Sequence, residues 1–303
     1  MTRLLLLLLV VTPLAQDDRY MLSVDVDLVN VSVNVIDAGG TPIQGLAADD
    51  FHVLENGREQ NISFFSHDAQ APVSVGVLID TSGSHQDTLR QGLEIVRQIA
   101  ATLSADDGMF VITFNSHAQL RQRFTSDKEE IQRSLLNIRA GGETAVYDAI
   151  AFGLGEMQWA KHKKRILILL SDCFDTKSKM KADQAEDMLR RSDIRVYAVG
   201  LDDDNEPKIR KGPRYHIYEY MLTKLTSASG GRLIRIYANH KYDLNRMAEA
   251  LIGELRQEYT MGYYPSDFEG DRVRNIEVRV TQPGLRVIGE KLYVERRQST
   301  ARQ

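Results

Sequence analysis

The run VSVGVLIDTSGSH at residues 73–85 decides how the rest of the chain is read. An apolar segment, Val73–Ile79, stops abruptly at Asp80, Thr81, Ser82, Gly83 and Ser84. The apolar part reads as a buried strand. Asp, Ser and Gly are common turn residues, so the Asp-x-Ser-x-Ser spacing by itself marks only a turn. It gains meaning if the fold brings further oxygen-bearing side chains to the same place.

Working outward, the pattern from residue 73 alternates between apolar strands and amphipathic helices. Leu89, Leu93, Val96, Ala100 and Leu103 form one helical face at steps of three and four. MFVITF (109–114) is the next strand, and the more polar AQLRQRF (118–124) suits a sheet edge. EEIQRSLLNI and TAVYDAIAFGLGEMQWA read as helices. RILILLSD (165–172) has no polar face, which predicts a central strand covered on both sides. AEDMLRRS, RVYAVGL, YMLTKLTSASGG, RLIRIY and LNRMAEALIGELRQEY continue the alternation to about residue 259. The prediction is an α/β fold with a doubly wound, mostly parallel sheet over residues 73–258.

The flanks have a period of two. LSVDVDLVNVSVNVI and FHVLENGREQNISFF lie within residues 22–66, with Asn56-Gly57 placed as a hairpin turn. TMGYYP, RNIEVRVT and LRVIGEKLYV follow the α/β region. Neither flank alone has enough strands to cover a sheet face. Together, residues 20–72 and 259–296 predict one small antiparallel β-sandwich built from both chain ends, with the α/β domain inserted and a polar tail at 297–303.

The chain has 303 residues and a formal charge of −4, which gives no electrostatic reason to expect nucleic acid or an anionic membrane as partner. MTRLLLLLLVVTPLAQ has a basic start and an apolar core too short to span a bilayer. It predicts a signal peptide over residues 1–15 and an exported protein, periplasmic, extracellular or cell-surface associated, without an integral membrane anchor. The single cysteine, Cys173, excludes an internal disulfide and reads as a packed or incidental thiol.

Ligands of open α/β sheets gather beyond the carboxyl ends of strands. One such end supplies Asp80, Ser82 and Ser84; the central strand supplies Ser171 and Asp172, with Asp175 close behind. Between them, AGGETAVYDA delivers Thr144 from a Gly-rich loop at a helix start. Hydroxyls with two carboxylates suit a hard cation such as Mg2+. Zinc and copper are disfavoured because neither His nor thiolate dominates the set. His85 adjoins it and reads as an outer or exposed residue, Asp87 as a helix N-terminal residue and Asp148 as a helix-face residue.

In this order, on this alternation, the sequence resembles the von Willebrand factor type A domain, whose metal-ion-dependent adhesion site has the same tripartite pattern. The resemblance implies that Ser82, Ser84 and Thr144 are metal ligands through their hydroxyls, directly or in one of two states. It implies that Asp80 and Asp172 act chiefly through bound water, with Asp172 able to approach the metal when the site rearranges. VNVSVNVIDAGGTPIQGLAADDFHVLENGREQNISFF and YTMGYYPSD look like the flanks of bacterial secreted VWFA-related proteins. Two positions depart from the family pattern: Cys173 replaces a frequent Gly, and Glu143 precedes Thr144.

The expected function is a secreted, non-enzymatic protein-binding or adhesion module. Mg2+, with Mn2+ or Ca2+ as alternatives, would accept an Asp or Glu carboxylate of a partner protein. The rivals are a metal-dependent hydrolase, for which no general base is placed, and an assembly subunit of an envelope complex. Side chains at this strand edge are expected to face solvent or ligand, so Asp80→Ala is expected to leave stability unchanged.

Overall fold

The computed structural model describes residues 28–38, 41–171, 174–202, 213–237, 243–265, 273–288 and 293–295. Residues 1–15, the tail at 297–303, Asp172 and Cys173 lie outside the described residues. The first flank holds β1 (Val29–Ile36), β2 (Phe51–Glu55), β3 (Arg58–Gln60) and β4 (Ile62–Ser66). The central region runs β5 (Val73–Asp80), α1 (Leu89–Thr102), β6 (Gly108–Phe114), β7 (Ala118–Thr125), α2 (Lys128–Ser134), α3 (Val146–Glu156) and β8 (Lys164–Leu170). It continues with α4 (Ala182–Arg191), β9 (Arg195–Asp202), α5 (Pro213–Ala228), β10 (Leu233–Tyr237) and α6 (Leu244–Arg256). The second flank adds β11 (Tyr259–Tyr263), β12 (Val273–Val280), β13 (Arg286–Ile288) and β14 (Tyr293–Glu295).

The central sheet has the order β10-β9-β8-β5-β6-β7, parallel throughout except for the antiparallel edge strand β7. Every residue of β5 is buried, as are Ile166–Leu170 of β8, because helices cover both faces. On one side Ile95, Val96 and Ile99 of α1 pack with Ile131 of α2 and Leu251 of α6. On the other, Ala149 and Ile150 of α3 pack with Leu189 of α4 and Leu222 of α5. Gly76 at the middle of β5 makes room for this layer: a Cβ there would lie 2.2 Å from Phe110 Cζ and 2.7 Å from Leu167 Cδ1. The doubly wound α/β architecture is therefore as the alternation predicted.

The flanks form two further four-stranded antiparallel sheets, β13-β1-β11-β4 and β14-β12-β2-β3. Val31, Val33, Phe51, Val53, Tyr259 and Met261 share one core between them, so the sandwich does draw on both chain ends. Asn56 and Gly57 both have positive φ, 50° and 79°, as a tight hairpin between β2 and β3 requires. Two sequence expectations are corrected. LRVIGEKLYV, read as one segment, becomes β13 in one sheet and β14 in the other. EEIQRSLLNI is helical only to Ser134, and Asn137 just beyond takes the left-handed conformation with φ 59°.

Candidate functional site

β5 and β8 are neighbours with Ile79 opposite Leu170, so Asp80 and Ser171 leave the sheet side by side at its carboxyl edge. Ser171 Oγ donates to Asp80 Oδ2 at 2.6 Å, and the Ser82 N–H donates to Asp80 Oδ1 at 2.9 Å. Both carboxylate oxygens are thus oriented, and Asp80 is 2% exposed. Of the two expectations for this side chain, facing solvent or facing ligand, burial removes the first. Ser82 is buried and Ser84 exposed, with their hydroxyl oxygens 3.1 Å apart.

The Gly-rich loop is joined directly to this turn. Gly83 N–H donates to Gly142 O at 3.0 Å and Gly141 N–H to Thr81 O at 2.8 Å. Gly142 has φ +87°, a conformation that favours glycine. Asn115, at the end of β6, braces the same loop by donating from Nδ2 to Gly141 O at 2.9 Å and accepting Ala145 N–H at 2.8 Å. Thr144 is buried. Its N–H donates to Thr176 Oγ1 at 3.0 Å, and its carbonyl accepts the N–H groups of Thr176 and Lys177 at 2.8 and 3.0 Å.

The loop after β8 closes the arrangement. Asp175 Oδ2 accepts the Val146 N–H at 2.8 Å, so this carboxylate caps α3. Asp148 accepts from the N–H groups of Lys179 and Met180 at 3.0 and 2.9 Å, a tie between α3 and that loop rather than a bare helix face. Glu143 is engaged in its own contacts, pairing with Lys177 at 2.8 Å and donating its N–H to Ser116 Oγ at 3.1 Å. Asp87 is exposed in the turn ahead of α1.

Asp80, Ser82 and Ser84 therefore stand together, with Thr144 on a loop bonded to theirs. Asp172, the fifth expected ligand, lies outside the described residues. The sequence reading missed Asn115 and Thr176, whose roles depend on contacts across separate loops, and of the two places it gave His85, outer to the ligands or merely exposed, burial removes the second. That ring is 2% exposed, with Nδ1 3.4 Å from both Ser82 Oγ and Ser84 Oγ and 3.6 Å from Asp80 Oδ2. Among the described residues no three His, Cys, Asp or Glu side chains cluster as a metal site, so hydroxyls carry much of the donor set. Such donors fit a hard cation in type. Beside the turn, a cleft of about 140 Å³ is lined by Thr81, Asn115, His117, Arg121 and Arg139 among others, with no carboxylate in its lining.

Residues 75–174 match the family model described as von Willebrand factor type A domain, which places a VWFA-type domain in the chain. No curated protein matches it. Among solved structures it is similar to an aerotolerance-related membrane protein from Bacteroides fragilis, at 18% identity, covering 60% of this chain and 98% of that one with a TM-score of 0.49. A von Willebrand factor type A protein from Catenulispora acidiphila is similar at 14% identity, covering 81% and 73% with a TM-score of 0.49. The vWF domain of the type V pili tip protein Mfa5 from Porphyromonas gingivalis is similar at 12% identity, covering 61% and 96% with a TM-score of 0.45. No helix among the described residues is long and apolar enough to cross a membrane.

Proposed function

We propose that the chain is an exported, non-enzymatic protein-binding module that takes an Asp or Glu of a partner protein through a divalent cation, Mg2+ or alternatively Mn2+ or Ca2+. The observation that carries this reading is the joining of three separate loops, by direct hydrogen bonds, around Asp80, Ser82 and Ser84. A cation held largely by neutral hydroxyls keeps net positive charge and attracts an outside carboxylate. Ser171 and the Ser82 N–H fix Asp80, while Thr176 and Lys177 hold the backbone of Thr144 against the same edge. In the adjoining cleft Arg121, Arg139 and His117 favour an acidic surface on the partner.

The geometry does not favour serine hydrolysis. A Ser–His–Asp relay uses two different ring nitrogens, whereas here Ser82 and Asp80 approach the same Nδ1 of His85. Ser84 offers the cleanest test, being exposed and in contact through its hydroxyl with Ser82 and His85. Ser84→Ala is expected to lower Mg2+ and Mn2+ affinity by about tenfold or more in calorimetry, with thermal unfolding in chelator unchanged. Partner capture from native extract should then require the divalent ion and weaken in the variant. A wild type that takes up no divalent cation, or a partner retained equally in chelator, ends this reading.

A further inference from the structure

We propose that His85 is itself a ligand of the cation, making the site a mixed nitrogen and oxygen one with more affinity for Mn2+, Co2+ and Zn2+ than its oxygen donors alone would give. The inference rests on the reading of this edge as a cation site and adds to it a donor that the oxygen pattern does not contain. Its basis is a triangle of donors: Ser82 Oγ and Ser84 Oγ are 3.1 Å apart, and His85 Nδ1 is 3.4 Å from each. Asp80 Oδ2 stands 3.6 Å from the same nitrogen. Six donors at about 2.1 Å from a metal lie roughly 3 Å from their neighbours, so these separations are close to the edges of one coordination polyhedron.

The ring is also held in place. Gly83–His85 form a single 3-10 turn, closed by the His85 N–H donating to Ser82 O at 3.1 Å, and the His85 side chain is buried at 2% exposure. Ligation through Nδ1 requires its lone pair, with the proton on Nε2. An imidazole nitrogen adds more affinity for borderline transition metals than for Mg2+, which prefers carboxylate, carbonyl and water oxygen. The presence of His at this position is therefore a selectivity device as well as a packing choice.

Pulsed electron paramagnetic resonance of the full chain loaded with Mn2+ tests the bond itself. The expected spectrum shows a directly coordinated nitrogen, and labelling histidine with 15N should change that coupling. In calorimetry, His85→Leu should lose Co2+ affinity by about tenfold or more while Mg2+ affinity stays within about threefold. Mn2+ bound with no coordinated nitrogen overturns the role of His85 and leaves the cation site standing. No uptake of Mn2+ or Co2+ by the wild type overturns both. Should His85→Leu fail to fold, the wild-type spectrum still decides.

Discussion

Asp80 and Ser84 stand at one strand edge but differ in what their loss costs the fold. Removing the Asp80 carboxylate breaks two buried hydrogen bonds, from Ser171 Oγ and from the Ser82 N–H, and takes from the latter its acceptor. An unsatisfied buried group costs about 1–3 kcal/mol. Asp80→Ala is therefore expected to lower stability in chelator by about that amount in urea titration, with Asp80→Asn falling between it and the wild type. An Asp80→Ala protein as stable as the wild type would mean that water already serves these groups. The same contrast explains what was legible here. Asp80, Ser82 and Ser84 could be read because they are contiguous with the strand that delivers them, and Thr144 because a Gly-rich loop leads into a helix. The acceptor role of Asp80 toward Ser171 depends on β5 lying beside β8, and the burial of His85 on a turn that folds it inward, neither of which shows in local residue order.

At the scale of elements, strands buried on both faces were the easiest to find, since β5 and β8 need apolar residues throughout. Short flank segments were harder: the residues of β13 and β14 carry no local mark assigning them to different sheets. Helix pairing was also hidden, and α4 with α5 shows why. Glu186 of α4 accepts from Arg190 at 2.5 Å, one turn away, but also pairs with Lys224 of α5 at 2.6 Å. Burial works to raise its pKa, yet the hydrogen bonds and charges of Lys224 and Arg190 outweigh burial and hold it below the ordinary 4.5. A carboxyl lowered in this way contributes stability above the unfolded value that is lost as pH falls through the folded value. Glu186→Gln should thus be less stable than wild type at neutral pH by about 0.5–1 kcal/mol, the partners being partly exposed. The two proteins should converge as pH falls below about 4.5. A difference that persists unchanged at pH 3, roughly, would assign the effect to packing instead.

At the scale of the molecule, apolar packing separates two bodies that polar contacts join. The two core clusters of the α/β region draw only on residues between Val73 and Leu255, and the third draws only on the flanks. At the junction Arg195, at the start of β9, donates to Asn34 Oδ1 at 2.9 Å and to Ser32 O, both in β1. It also faces Glu258 at 2.8 Å, close as an ion pair but without the alignment of a hydrogen bond. Burial pushes the Glu258 carboxyl above the ordinary carboxylate range, and the charges of Arg195 and Lys164 oppose that push. Removing Arg195 in the whole chain strands Glu258, and breaking a buried pair from one side costs about 3–5 kcal/mol. A fragment of residues 73–258 keeps both α/β clusters, so it should unfold in one cooperative transition. There Glu258 is the last residue and is hydrated, so Arg195→Met should cost about 1 kcal/mol or less. The pH dependence has a fixed sign. A carboxyl with a raised folded pKa contributes stability that is complete below its unfolded value, ordinarily 4.5, and is lost as pH rises through its folded value. Losing the Arg195 charge raises Glu258 further. The penalty of Arg195→Met in the whole chain should therefore be smallest near pH 4.5, where the loss of the hydrogen bonds to Asn34 and Ser32 remains, and grow toward neutrality. A fragment without a cooperative transition, or a penalty equal in fragment and whole chain, would show that the sandwich is an integral layer of the α/β domain rather than a second body clasped to it.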